Sequence, residues 1–152
     1  MDVVIERLTD LPPAAVAALV AASERDGWRF VRRLADDWAA GTVRFDRPGE
    51  ALFAARVGGA VVGVCGLTID PYAADPAVGR VRRLYVLWAF RGRGVGRGLV
   101  EAVVRAARGR FRTLRLRTES PEAAVFYERL GFRPVAGVPD CTHVRELAAG
   151  AG

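Results

Sequence analysis

The sequence predicts a single α+β (mixed α/β) domain, and three observations carry that reading. Runs of period two and runs of helical period interleave along the chain. A Gly58-Gly59 pair separates two apolar runs in the manner of a tight hairpin turn. A length of 152 residues, 51% hydrophobic and 26% charged, suits one substantial core rather than a disordered chain. No repeat or linker interrupts the pattern, so residues 1–148 are expected to form the domain and 149–152 a frayed tail.

Each element has its own signal. Val3 to Leu8 (VVIERL) reads as the first strand. Pro12-Pro13 suit the first turn of a helix, where a missing N–H is no loss, and Ala14 to Arg25 continue it until Gly27 breaks the pattern. From Trp28 to Ala40, Trp28, Val31, Leu34, Ala35 and Trp38 recur at helical spacing, opposite Arg32, Arg33, Asp36 and Asp37, and Gly41 marks the stop. Asp46-Arg47-Pro48-Gly49 is a turn. Ala51 to Val57 and Ala60 to Asp70 are the hairpin strands. After a loop from Pro71 to Ala77, Val78 to Val86 returns as a strand whose apolar run reaches Trp88, completing an antiparallel-rich block.

The second half alternates. Val95, Leu99, Ala102, Val103, Ala106 and Ala107 form one stripe of a helix, while Arg97 and Glu101, and Arg105 and Arg108, line the other side. Thr113 to Thr118 (TLRLRT) has period two. Ser120-Pro121 read as N-cap and first helical residue of a helix over Glu122 to Leu130, closed by Gly131. Arg133 to Val138 and Thr142 to Leu147 are the last strands, giving the order β-α-α-β-β-β-α-β-α-β-β.

Composition narrows the function classes. No apolar run reaches the roughly 20 residues of a membrane helix. The start, Met1-Asp2-Val3-Val4-Ile5-Glu6-Arg7, is acidic where a signal peptide is basic, so a cytoplasmic location is expected. Two cysteines, Cys65 and Cys141, and one histidine argue against a disulfide framework or a metal cage. The net charge of +6 comes entirely from arginine, since lysine is absent. Twelve arginines and one acid, Glu101, lie between Arg80 and Arg117. A solvated basic face explains this, as does a funnel for a polyanionic ligand; a nucleic-acid footprint is a third reading, but no aromatic platform or recognition motif accompanies it.

The most informative stretch is Arg91-Gly92-Arg93-Gly94-Val95-Gly96, placed between a strand and a helix. Alternating glycines let a ligand approach the backbone, and the helix start offers unpaired N–H groups and a positive dipole end. Arg91, Arg93 and Arg97 add charge. No Gly-Lys-Ser/Thr follows, which excludes a triphosphate P-loop, and the loop lies too late in the chain for the usual dinucleotide fingerprint.

Arg91, Gly94 and Gly96 match the pattern Gln/Arg-x-x-Gly-x-Gly/Ala, and Ala123, Tyr127 and Gly131-Phe132 match A-x-x-x-Y-x-x-x-G-F about thirty residues on. This pair of motifs resembles the GNAT acetyltransferase superfamily, over Val61 to Val135 in particular. The resemblance implies a central, mostly antiparallel mixed sheet of six or seven strands with about four helices, whose fourth and fifth strands splay to admit a cofactor. The cofactor implied is acetyl-coenzyme A. Backbone N–H groups of Arg91, Gly92, Arg93, Gly94, Val95, Gly96 and Arg97 would hold its pyrophosphate. Leu84, Tyr85 and Val86 would pair with pantetheine, and an N–H near Val86 would face the thioester oxygen. By the same resemblance Tyr127 is the general acid for the departing thiolate, since a phenol is protonated at neutral pH. Ser120 stands where many relatives carry a cofactor-binding asparagine, although N-capping alone also explains it. Trp88 stands where relatives often have proline.

The implied reaction moves an acetyl group to a primary amine of a small molecule or peptide, directly within a ternary complex, because no cysteine lies in a nucleophile motif. Relatives often carry a glutamate base at the position of Arg80, which cannot serve. Asp70, Glu119, His143 and a water relay stay open as alternatives. For the acceptor side, Trp28, Phe30 and Trp38 offer an apolar wall or core anchors. Asp36 or Asp37 offers a charge for an amine, and Asp70-Pro71-Tyr72 a loop reaching the cleft. A non-catalytic acyl-coenzyme A sensor on the same fold is the rival reading, with a nucleic-acid binder behind it. Neither nucleic acid nor membrane is the expected partner, and a homodimer is compatible with the resemblance without being fixed by any residue.

Overall fold

The computed structural model describes residues 2–147. The chain runs β1 (Val3–Leu8), α1 (Pro13–Arg25), α2 (Phe30–Ala40), β2 (Ala51–Val57), β3 (Ala60–Ile69) and β4 (Val78–Val86). After a 3-10 turn at Trp88–Phe90 come α3 (Val95–Ala107), β5 (Thr113–Leu116), α4 (Pro121–Arg129), β6 (Arg133–Pro134) and β7 (His143–Glu146). The element order is the one the sequence predicts. The seven strands form one mixed sheet in the order β1-β2-β3-β4-β5-β7-β6, antiparallel everywhere except between β4 and β5.

That exception positions the site. β4 pairs with β5 only over Val78, Gly79 and Arg80, against Thr113, Leu114 and Arg115. From Val81 onward the two strands part, and a cleft opens beside the rest of β4. The splay expected from the resemblance is present.

Two apolar layers cover the sheet. On one face Val95, Leu99, Val103 and Ala107 of α3 pack with Cys65, Leu67, Leu114 and Leu116, joined by Tyr127 and Phe132 from α4 and its exit. On the other, Val16, Leu19, Leu34 and Trp38 of α1 and α2 pack against Leu52, Ala54, Val64 and Tyr85. Burying one such leucine is worth about 1.5–3 kcal/mol, which makes these faces the main source of stability. Gly98 lets α3 sit close to β1, since a Cβ there would meet the Ile5 side chain at 2.6 Å. The α3 stripe is wider than its periodicity suggests: Val100 and Val104 are also buried, whereas Ala106 is exposed.

Several boundaries differ from expectation. The second helix starts at Phe30, not Trp28, because Gly27 turns the chain at φ 87° and Trp28 donates its N–H back to the Ser23 carbonyl at 2.9 Å. β4 stops at Val86 and the chain coils into the 3-10 turn, leaving Trp88 77% exposed. The run Arg133 to Val138 contributes only Arg133–Pro134, since proline donates no ladder bond and Gly137 bends the backbone at φ 74°. β5 and β7 are likewise shorter than expected, at Thr113–Leu116 and His143–Glu146. Residues 149–152, expected to form the frayed tail, lie outside the described residues.

Candidate active site

The cleft has a volume of about 1030 Å³ and is lined by β4, the start of α3, the chain from Leu116 to Ser120, and α4. Its backbone architecture begins in β4. Val64 pairs with Tyr85 and Gly66 with Arg82, so two residues of β4, Arg83 and Leu84, face the single Cys65 of β3. This is a β-bulge, and Arg83 adopts φ 61° in it. A left-handed conformation at a non-glycine residue costs about 1–3 kcal/mol and is usually kept where function needs it. The bulge changes the strand's parity. Val81, Leu84 and Val86 face α3, while Tyr85 faces α2. A strictly alternating strand would not do this, and no residue type in VRRLYV marks the extra position.

The glycine loop follows. Gly92 and Gly94 adopt φ 75° and 83°, conformations that favour glycine, and a Cβ on either would meet nothing within 4 Å. The space around them is open to a ligand. Gly94 caps α3 without a side chain, and the first helical bond runs from the Gly98 N–H to the Gly94 carbonyl at 3.0 Å. The N–H groups of Val95, Gly96 and Arg97 therefore have no helical acceptor and are concentrated at the positive end of the dipole. Gly96 matters for width: a Cβ there would lie 3.4 Å from the Phe126 ring across the cleft.

The loop arginines are not equivalent. Arg91 donates through Nε to the Val86 carbonyl at 2.8 Å and through Nη2 to Asp26 Oδ2 at 3.1 Å, with its guanidinium 5.2 Å from the Tyr85 ring centre. Asp26 also accepts the Tyr85 hydroxyl at 2.8 Å. The Tyr85 hydroxyl, and then the Arg91 bond, hold the Asp26 carboxyl below its usual range. Arg91 thus fixes the loop to β4 and to the end of α1. Arg97 pairs with Glu101 at 2.9 Å on the exposed face of α3.

Tyr127 lies on the inner wall, 7% exposed, with edge-on contacts to Phe126 at 5.2 Å and Phe132 at 5.6 Å. The motif around it has a mechanical basis. Gly131, at φ 90°, reverses the chain so that both Leu130 and Phe132 donate N–H groups to the Tyr127 carbonyl, folding Phe132 back against the ring. Burial, reinforced by the nearby Cys65 thiol, pushes the phenol well above its ordinary pKa, so it stays protonated. Ser120 lines the cleft and caps α4, its Oγ accepting the Ala123 N–H at 3.2 Å.

Of the carboxylate and imidazole alternatives, only Glu119 lines the cleft, and Arg117 holds it at 3.0 Å. Asp70 is 2% exposed, accepts the Tyr72 N–H at 2.8 Å and faces Arg80 at 3.7 Å. His143 is 4% exposed, between Glu128 and Thr142 at 2.9 Å each. On the acceptor side, Trp28 and Phe30 line the cleft and Tyr72 joins them. Trp38 does not; it stacks on Phe45 in the core, because its helical position points under α2. Asp37 lies 3.9 Å from Arg83 rather than presenting a free charge. Cys65 and Cys141 are buried free thiols, and burial pushes Cys65 up to about 12. Among the described residues no helix is long and apolar enough to cross a membrane, and no cluster of three metal-ligating side chains occurs.

The chain is similar to known proteins in sequence and in fold. Residues 48–134 match the family model described as an acetyltransferase (GNAT) domain. The chain is 31% identical over 133 residues to the N-alpha-acetyltransferase RimI of Mycobacterium tuberculosis, covering 83% of this chain and 82% of that one. A crystal structure from Exiguobacterium sp. 255-15, assigned to the acetyltransferases, superposes with a TM-score of 0.84 at 31% identity, covering 98% of this chain and 96% of that one. A PaiA N-acetyltransferase from Thermoplasma acidophilum, solved in complex with coenzyme A, shares the fold at TM-score 0.68 and 12% identity, covering 97% of this chain and 100% of that one.

Proposed function

The chain belongs to the GNAT acetyltransferase family, and from that premise we propose that it acetylates a primary amine of a small molecule or peptide, using acetyl-coenzyme A in a ternary complex. The observation that carries this reading is the set of N–H groups at the start of α3, which open into the gap between β4 and β5 with Tyr127 on the inner wall. These groups fit a pyrophosphate, and the open space over Gly92 and Gly94 admits one. When bound, acetyl-coenzyme A supplies an activated acetyl thioester.

The protein's own groups then divide the work. The bulge at Arg83 and Leu84 interrupts the ladder and aims β4 backbone groups at the gap, so that an N–H near Val86 stabilises charge developing on the thioester oxygen. Arg91 holds Val86 in place through its carbonyl. As the C–N bond forms and the C–S bond breaks, Tyr127 gives its proton to the leaving sulfur. Its raised pKa keeps that proton in place until the thiolate appears. The amine sheds its own proton through water, since the candidate bases Asp70 and Glu119 are both tied to arginines.

Intact-mass analysis after mixing protein and acetyl-coenzyme A with and without an amine tests the order of events. Direct transfer leaves the protein mass unchanged in both mixtures and acetylates the amine. An acetylated protein in the amine-free mixture would overturn the ternary complex.

A further inference from the structure

The wall of the cleft opposite the glycine loop is built from arginine. Arg80, Arg82 and Arg83 of β4 and Arg33 of α2 all line it. Two of the four are balanced: Arg83 by Asp37 at 3.9 Å and Arg80 by Asp70 at 3.7 Å. Arg80 is further fixed by the Asp140 carbonyl at 2.8 Å and by stacking on Tyr72 at 4.8 Å. The side chains of Arg33 and Arg82 make no hydrogen bond and no ion pair within 4 Å among the described residues, and Asp37 and Asp70 act on Arg82 only at longer range. Burial, and then repulsion from Arg82, lower the Arg83 pKa to about 10, while Arg33 adds further repulsion. The guanidinium groups of β4 are therefore crowded, with Arg82 and Arg33 lacking a direct carboxylate partner. Holding them together costs stability, and nothing in the phosphate loop accounts for them.

A second observation lies beneath the same wall. The buried side-chain polar atoms without a partner among the described residues are Thr68 Oγ1, Asp70 Oδ2 and Arg115 Nε. Thr68, Arg80 and Arg115 occupy one register row across β3, β4 and β5, with Asp70 just past the end of β3. Leaving such an atom unpaired costs about 1–3 kcal/mol, and a stability-driven sheet face would use apolar side chains there.

We propose that the acceptor is an anionic amine, carrying a carboxylate within a few bonds of the reactive nitrogen, and that Arg82 and Arg33 bind that carboxylate. This rests on the acetyltransferase reading and sharpens it to a substrate class. A guanidinium meets a carboxylate with two parallel N–H···O bonds, whereas a polycationic amine would be repelled and a neutral one would leave the charges unmatched. The same field disfavours the ammonium form of the acceptor, which eases loss of its proton where Arg80 replaces a carboxylate base. Trp28, 42% exposed at the rim, and Phe30 supply an apolar surface for the carbon chain between the two groups.

The test measures thiol release from acetyl-coenzyme A with matched acceptors: glutamate against glutaminamide, in which both carboxylates are capped as amides, a tripeptide with amino-terminal glutamate against its glutamine counterpart, and putrescine as a dication. The acidic member of at least one pair is expected to show a kcat/KM at least tenfold above its amide, with putrescine lowest. The free amino acid and the peptide separate the two sources of the same chemistry. In an Arg33→Gln/Arg82→Gln protein that preference should fall below threefold through acceptor KM, with acetyl-coenzyme A affinity retained. Equal or higher activity with the amides or putrescine overturns the inference. So does an absence of turnover with every acidic amine; calorimetry then shows which reading failed. Retained acetyl-coenzyme A binding removes the acceptor class alone, and lost binding removes the acetyltransferase reading with it.

Discussion

The two walls of the cleft are made of different material. At the start of α3 recognition is proposed to rest on backbone N–H groups, made accessible by glycine and oriented by the helix. Opposite, along β4 and α2, it rests on side chains: arginines from separate elements, a bulge that re-aims them, and aromatic residues at the rim. A backbone wall of this kind would accept any ligand with the right charge and shape. The second can change partner with one substitution. Glycine spacing between a strand and a helix is a local pattern that points to a cofactor, while the acceptor side depends on Arg33 of α2 meeting the arginines of β4.

The largest expected effect breaks the first wall. A Gly94→Glu/Gly96→Glu protein places side chains and negative charge where the N–H groups open, and should lose at least 100-fold in acetyl-coenzyme A affinity, about 3 kcal/mol. Calorimetry reads it. Unchanged affinity would mean that the backbone wall does not bind the pyrophosphate.

Tyr127, between the walls, comes next. Tyr127→Phe keeps the rings against Phe126 and Phe132 but removes the proton, and kcat should drop about 100-fold with little change in either KM. Steady-state kinetics on both substrates checks this. An unaltered kcat would remove Tyr127 as acid.

Asp26 joins the walls, since it binds Tyr85 on one side and Arg91 on the other. Asp26→Asn weakens both bonds at a largely exposed site, so a change of about threefold in acetyl-coenzyme A affinity is expected. If only the acceptor KM moves, Arg91 does not support the loop through this residue.

The smallest effect is at alkaline pH. Burial, then the Asp26 hydrogen bond, pushes Tyr85 from its ordinary 10 up to about 12, and burial takes Cys65 from 9 to about 12. Both folded values lie above the unfolded ones. Their stabilisation is whole below about pH 9–10 and is lost as pH rises through about 12. Chemical denaturation between pH 9 and 12 should show this decline, with a shallower one in Tyr85→Phe.

Much of this protein was legible before folding. The element order follows from local periodicity, Ser120-Pro121 from helix capping, and the glycine loop from its place between strand and helix. The motif from Ala123 to Phe132 could be recognised as a pattern, but its reason, Gly131 folding Phe132 back on Tyr127, belongs to the backbone path. Trp28 and Trp38 share one helical spacing in the sequence, yet one lines the cleft and the other the core.

What the sequence alone determined is whatever depends on neighbours within a few positions: periods, caps, turns, and a glycine-rich helix start with its dipole. Tertiary structure decided the rest. The Arg83 bulge arises from a register shift against β3, and Asp26 reaches Arg91 across 65 positions. The arginine wall exists because a helix and a strand that never touch in sequence are packed side by side. The basic run that begins at Arg80 is visible in the sequence, but that Arg33 joins Arg80, Arg82 and Arg83 at one cleft is not written in any local pattern.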